Sequence, residues 1–167
     1  NNCDQKYDKE GMLASSGNIN EIIFEQAQEL YLNRKNKEKR SYDINDFDIS
    51  FSRGLSLEDG AATLLSYTAK IIASGISSVL REFERDRINI YICGGGRKNL
   101  NLIHNIKLNL NKNLFFNDID TLGFAGDFIE SQAFAFLAIR SLKRLPISFP
   151  STTNCKSPTT GGDIVEN

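Results

Sequence analysis

Apolar positions along the chain change their period several times, and each change marks an element. In residues 18–32, NINEIIFEQAQELYL, Ile23, Ala27, Leu30 and Tyr31 recur at helical spacing. Asn18 stands where it can cap, with Glu21 three residues on, so a helix is expected here. From Leu57 to about Glu84, residues Leu64, Leu65, Thr68, Ile71, Ile72, Val79, Leu80 and Phe83 hold a helical period. Ser56 with Asp59 repeats the capping pattern, and the acidic first turn Glu58-Asp59 suits the positive end of a helix dipole. A long helix is predicted, with Gly75 as a weak point or close-packing position, and its wide apolar face predicts packing against a sheet.

The period then shortens. INIYIC, residues 88–93, is a run of β-formers that fits a strand covered on both faces, as in parallel sheets. Gly94-Gly95-Gly96 follows at once and leads through Arg97-Lys98 into a helical pattern at Leu102, Ile103 and Ile106. Leu114-Phe115-Phe116 is the next strand candidate. Gly126-Asp127 then introduces DFIESQAFAFLAIRSL, a helix with Asp127 as its expected cap and Glu130 at the third position. Alternating strands and helices imply an α/β domain. All three prolines, Pro146, Pro150 and Pro158, lie with Gly161-Gly162 in a loop-rich tail, residues 146–167.

Composition narrows the functional classes. The 167 residues are 40% hydrophobic and 25% charged, which excludes disorder and allows one domain or two small ones. Twenty Lys+Arg against 21 Asp+Glu leave a net charge of −1, so there is no global positive field for nucleic acid or an anionic membrane. The basic stretch from Arg34 to Arg40 is followed by Asp43, Asp46 and Asp48, which cancel its local field and favour a solvated loop. No apolar run is expected to reach the ~18 residues of a spanning helix, and the N-terminus shows no export signal. Cys3, Cys93 and Cys155 are odd in number and lack CxxC or Cys/His spacing, against both a disulfide framework and a zinc site. Cytoplasm is the default expectation. The chain starts without Met, its one Met being Met12, so an upstream segment is expected to be missing.

Candidate chemistry concentrates at ICGGGRKN. Glycines after a strand remove the Cβ atoms at the carboxyl end of a sheet and leave helix amides free to face a phosphate or ribose, a nucleotide-site candidate. The stretch is neither GxGxxG nor GxxxxGK[ST], and simple tight-turn geometry explains it as well. Glu130 is either the capping partner of Asp127 or an acid positioned for a polyol; spacing alone favours the cap. The run Ala133 to Ala138 reads as core, and His104, without a Cys or acid partner, as a surface or capping residue. No nucleophile–base pair or metal-ligand cluster is visible.

In order, YDKEGMLASSGNINE, SLEDGAATLLSYTAKIIA, IYICGGGRKNLNLI and DTLGFAGDFIESQAFAFLAIRSLKRLPISFPSTTN resemble the carboxyl-terminal half of the anhydro-N-acetylmuramic acid kinase family, over nearly the whole chain. That resemblance implies an RNase H-like, actin-like ATPase lobe of α/β class, with a mixed sheet flanked by helices. It implies a single domain over residues 1–167, one lobe of a two-lobe kinase that uses ATP and Mg²⁺ on 1,6-anhydro-N-acetylmuramic acid in cell-wall recycling. Gly94, Gly95, Gly96 and Asn99 match the family's adenosine-side motif, and Glu130 matches the acid placed against the anhydro sugar.

The departures from the family are local. Ser131 replaces the usual Ala, and Thr153 aligns in a PSVTGA-like segment where Asn154-Cys155 replaces Gly-Ala. In the loop before the long helix, NKEKRSYDIND stands for a PPKSTGRE-like stretch; Ser41 and Phe47 match, while Ile44 and Asn45 replace the Arg-Glu pair. The family's catalytic aspartate and first phosphate loop lie upstream of the YDKEG match, so Asp8 is not that base and no catalytic residue is expected in this chain. The amino-terminal lobe is the expected partner, a homodimer is possible by family habit, and neither nucleic acid nor membrane is expected. The isolated chain is expected to be inactive. The rival expectation is a non-catalytic remnant or dimerisation domain of the same fold.

Overall fold

The computed structural model describes residues 6–33, 46–81, 87–110, 113–163 and 165. Cys3, the basic run Arg34 to Arg40, Asp43, Ser41, Ile44, Asn45, Phe83 and Glu84 lie outside the described residues.

Six helices and two strands follow in chain order among the described residues: α1 (Met12–Ser16), α2 (Glu21–Leu32), α3 (Leu57–Leu80), β1 (Ile88–Ile92), α4 (Leu100–Leu108), β2 (Leu114–Asp118), α5 (Ile129–Leu142) and α6 (Pro150–Thr153). The strands pair in parallel, with Ile88 opposite Leu114 and Ile92 opposite Asp118. Parallel neighbours need a long crossover, and α4 supplies it. The protein is therefore mixed α/β, rich in helix, with a small parallel sheet.

Caps explain where the helices begin. Ser56 accepts a hydrogen bond from the Asp59 amide at the start of α3, as its spacing predicts. For α2 the cap is Asn20, which accepts from the Ile23 amide. Asn18, the expected cap, instead donates its amide to Asp59 at 2.7 Å. Asp8 accepts from the amides of Leu13 and Ala14 at the head of α1, which gives this acid a structural task.

The core lies along α3 and is built chiefly of small residues. Ala62, Thr63, Ser66, Tyr67, Ala69 and Ala73 are buried, where the leucines, isoleucines and valine of the same helix are not. Helix α3 packs chiefly on α1, α4 and α2, a correction to the sheet packing expected of it. Small side chains at three- and four-residue steps let neighbouring backbones come close, so they, and not the leucines, sit at the contact. Fully buried Thr63 accepts from the Asn20 amide and donates to the Asp59 carbonyl, tying the turn before α2 to the first turn of α3. Tyr31, Phe47, Phe51 and Tyr67 form an aromatic cluster beside this core, which gives Phe47 a packing role.

Three further expectations are corrected. Helix α3 is long and apolar enough to cross a bilayer by length and composition, although no run of that kind was expected. Strand β1 alternates, with Ile88, Ile90 and Ile92 half-buried and Asn89 and Tyr91 exposed, so it is not covered on both faces. Helix α5 buries none of its residues: Phe134 is 65% and Phe136 58% exposed. The apolar run of α5 is therefore uncovered surface among the described residues rather than core.

Two glycines test this packing in opposite directions. A Cβ on Gly17 would overlap the backbone carbonyl of Glu58, whereas a Cβ on Gly75, inside α3, would meet open space. Gly17→Ala is expected to lower stability by ~1–3 kcal/mol through overpacking. Gly75→Ala is expected to raise it by ~0.5–1 kcal/mol, because Gly in mid-helix has more chain entropy to lose. Urea denaturation of the two variants checks both signs.

Candidate functional site

The carboxyl end of β1 runs into the glycines. Gly94 takes φ +78° and ψ 174°, a backbone conformation that a side chain would strain. Residues Gly95–Lys98 then make one tight turn, and Asn99 caps α4 by accepting from the Leu102 amide at 2.9 Å. A Cβ at Gly94, Gly95 or Gly96 would meet nothing within 4 Å. The space beside the turn is open, and the turn places no side-chain wall in it. Asn99 is half-buried, and its carboxamide oxygen lies against Gly11, where a Cβ would collide with it. The loop before α1 thus buttresses the start of α4.

Opposite the turn lies the loop from Asp118 to Asp127, and Arg97 joins the two. Its side chain is only 8% exposed. Nε donates to Asp118 at 3.2 Å, Nη2 to Asp120 at 3.0 Å, and Nη1 both to Asp127 at 2.5 Å and to the Gly94 carbonyl at 3.0 Å. Lys98 adds a 2.7 Å contact to the second oxygen of Asp127. Backbone bonds run alongside, from the Gly94 amide to the Gly126 carbonyl and from the Gly126 amide to Asp120, each 2.9 Å. Gly126 is buried, and a Cβ there would press on the Arg97 guanidinium and Ile119 at 2.9 Å. Only glycine lets the guanidinium lie this close to the loop.

This network shifts its members' acidities. The Arg97 guanidinium is held even more firmly protonated than usual, first by its bond to Asp127 and then by Asp120. Asp120 falls to about 2, chiefly through the Gly126 amide, with Asp118 and Arg97 contributing. Asp127 is lowered by Lys98 first and Arg97 second.

Asp127 consequently does not cap α5. The residue before that helix is Phe128, which supplies no side-chain cap, so the expected Asp127–Glu130 capping box is corrected. Arg97 and Lys98 bring two full positive charges to the carboxylate, where a helix amide brings only a partial one. Glu130 is left in the first turn of α5, exposed and without a hydrogen bond among the described residues. His104 is exposed on α4. Thr153 lies in α6, its hydroxyl against that of Ser148, and Asn154 takes φ +60°. That left-handed conformation is one Asn tolerates best after Gly, which accounts for Asn154 at a position of the expected glycine. Among the described residues no group of three or more His, Cys, Asp or Glu is arranged to hold a metal.

Sequence reasoning missed Arg97 and its three aspartates. A signal was present: NDIDTLGFAGD places acids at 118, 120 and 127 around glycines, opposite a basic pair in the glycine turn.

Because Asp120 and Asp127 have lowered folded-state pKa values, the stability they add is full above the unfolded value near 3.8. It is lost as pH falls through the folded value, about 2 for Asp120. The melting temperature is expected to drop as pH falls from about 4 towards 2, and Asp120→Asn is expected to flatten that limb. Melting curves across this window are the check.

Comparison with known proteins identifies the family. A family model described as Anhydro-N-acetylmuramic acid kinase matches residues 1–167. A protein of that name from Pelagibacter ubique is 48% identical over 162 residues, covering 97% of this chain and 43% of that protein. One from Brucella anthropi is 36% identical over 161 residues, covering 96% and 41%. One from Rhodopseudomonas palustris is 39% identical over 156 residues, covering 93% and 41%. The chain spans about two fifths of the length of these curated relatives. With a match over its whole length and this level of identity, the chain belongs to the anhydro-N-acetylmuramic acid kinase family.

Proposed function

We propose that these 167 residues are the carboxyl-terminal, RNase H-like lobe of an ATP-dependent kinase that opens and phosphorylates 1,6-anhydro-N-acetylmuramic acid to N-acetylmuramic acid 6-phosphate. The observation that carries the proposal is the glycine turn at the carboxyl end of parallel strands, with open space where three Cβ atoms would stand. The name of the relatives supports the substrate, since it states what those proteins act on.

Each residue has a defined share in this lobe. Gly94, Gly95 and Gly96 let a nucleotide approach the backbone, and Asn99, whose oxygen is committed to the Leu102 amide, offers its Nδ2. Glu130, freed from capping, accepts hydrogen bonds from sugar hydroxyls. The local charge favours the adenosine and ribose end of ATP here, because Asp118, Asp120 and Asp127 outnumber Arg97 and Lys98.

In the complete reaction water attacks C1, the bond from C1 to O6 breaks, and O6 takes the γ-phosphoryl group as ADP leaves. The general base and the phosphate contacts come from the other lobe, because a kinase closes two lobes around its nucleotide. Mg²⁺, when bound, neutralises the phosphates. The described residues of this chain do not fit as its ligands, since their acids at the turn are engaged by Arg97.

The uncovered α5 face, with Phe134, Phe136, Ile139 and Leu142 exposed, favours a second reading: an assembly domain without chemistry of its own. Nucleotide binding separates the two. At a hundred times its dissociation constant, ATP with Mg²⁺ is expected to stabilise the chain by ~2.7 kcal/mol in a thermal-shift titration. Gly95→Val is expected to abolish that shift while leaving the ligand-free melting temperature unchanged, because the new side chain enters open space. Absence of a shift in the unaltered chain favours the assembly domain. In the two-lobe enzyme, Glu130→Gln is expected to raise the sugar KM at least tenfold with little change in ATP KM.

A further inference from the structure

Arg97 belongs to neither of the two groups of residues proposed to touch ligand, yet it is the most heavily bonded side chain between them. Its buried guanidinium faces three carboxylates and a backbone carbonyl from two separate segments. On one side stands the glycine turn, through the Gly94 carbonyl; on the other stands the loop that ends in α5, through Asp118, Asp120 and Asp127. Asp127 is three residues from Glu130 and has left the capping position to take this contact. The Gly126 backbone is pinned in the same place, accepting from the Gly94 amide and donating to Asp120.

We infer that Arg97 is a positioning residue that holds the glycine turn and the mouth of α5 at one fixed spacing, so that a nucleotide at Gly94–Gly96 is felt at Glu130. The inference rests on the proposed assignment of those residues to the two ligands. A planar fork suits the task because it meets carboxylates in several fixed directions at once, which an ammonium cannot do. Beside it stand the two backbone bonds through Gly126 and the short β1–β2 pairing, while α5 buries none of its residues.

Nuclear magnetic resonance on the 167-residue chain tests both parts. In Arg97→Met, amide hydrogen exchange at Gly94 and Gly126 is expected to speed up by about tenfold or more, while the Ala69 amide in α3 keeps its rate. Unchanged exchange at both glycines overturns the inference. Arg97→Lys is expected to exchange as fast as the methionine variant; a lysine chain as slow as the unaltered one shows that charge alone suffices and overturns the fork. If Ala69 also accelerates in Arg97→Met, Asp120→Asn decides, because it retains an acceptor for the Gly126 amide but weakens the Arg97 contact. A selective acceleration at Gly94 then supports the link, and none overturns it.

ATP with Mg²⁺ provides the coupling measurement. In the unaltered chain it is expected to move the amide resonances of Gly94–Gly96 and also those of Ile129–Ser131. In Arg97→Met only the glycines are expected to move, and a persistent response at Ile129–Ser131 overturns the coupling. Silence at the glycines in the unaltered chain overturns the nucleotide assignment and the coupling with it, while the exchange rates still judge the mechanical link.

Discussion

One guanidinium, inserted between a glycine turn and an acidic loop, ties together the two segments that leave the carboxyl ends of the strands. Arg97 reaches Asp118 at the end of β2, Asp120 in the turn beyond it and Asp127 ahead of α5. The two strands are five residues each, so few ladder bonds are available to hold the loops that follow them. Two-stranded sheets are marginal alone. An ion network with backbone bonds beside it does what a wider sheet would otherwise do, and it explains why Gly126 must lack a side chain.

The constraint has a visible consequence in α5. An acid that the spacing assigns to the helix is drawn off to the arginine, and the helix begins without a side-chain cap. A start of this kind lacks the stabilisation of a side-chain cap, while Glu130 in the first turn still suits the positive end of the helix dipole. The uncapped start and free Glu130 are two sides of one exchange, in which Arg97 and Lys98 hold Asp127 away from the helix amides. Away from this end, the domain is held by different physics: small residues on α3 in close contact with three other helices, and an aromatic cluster centred on Tyr67.

Much of the secondary structure was legible beforehand. The Ser56 cap, the long α3, the strand before the glycines and the helix after them all lie where the periodicity places them. Such features depend on neighbours within a few residues, and local sequence carries that information. The burial assignments fared worse. The leucines of α3 were expected to face a sheet, and the alanines face helices instead; the Phe134–Phe136 run was expected to be core and lies exposed. Periodicity shows that a face is apolar but not what, if anything, covers it.

The amino-acid sequence by itself determined the α/β alternation, the family and the candidate positions Gly94, Gly95, Gly96, Asn99 and Glu130, since short-range spacing and ordered motifs suffice for these. Tertiary structure alone decided which acid is free and which is bound. A one-dimensional capping pattern engages both Asp127 and Glu130, and only folding brings Arg97, thirty residues earlier, within 2.5 Å of Asp127. Charge pairing across such a separation depends on the path of the backbone between the partners, so it is set by the fold and not by the local run of residues.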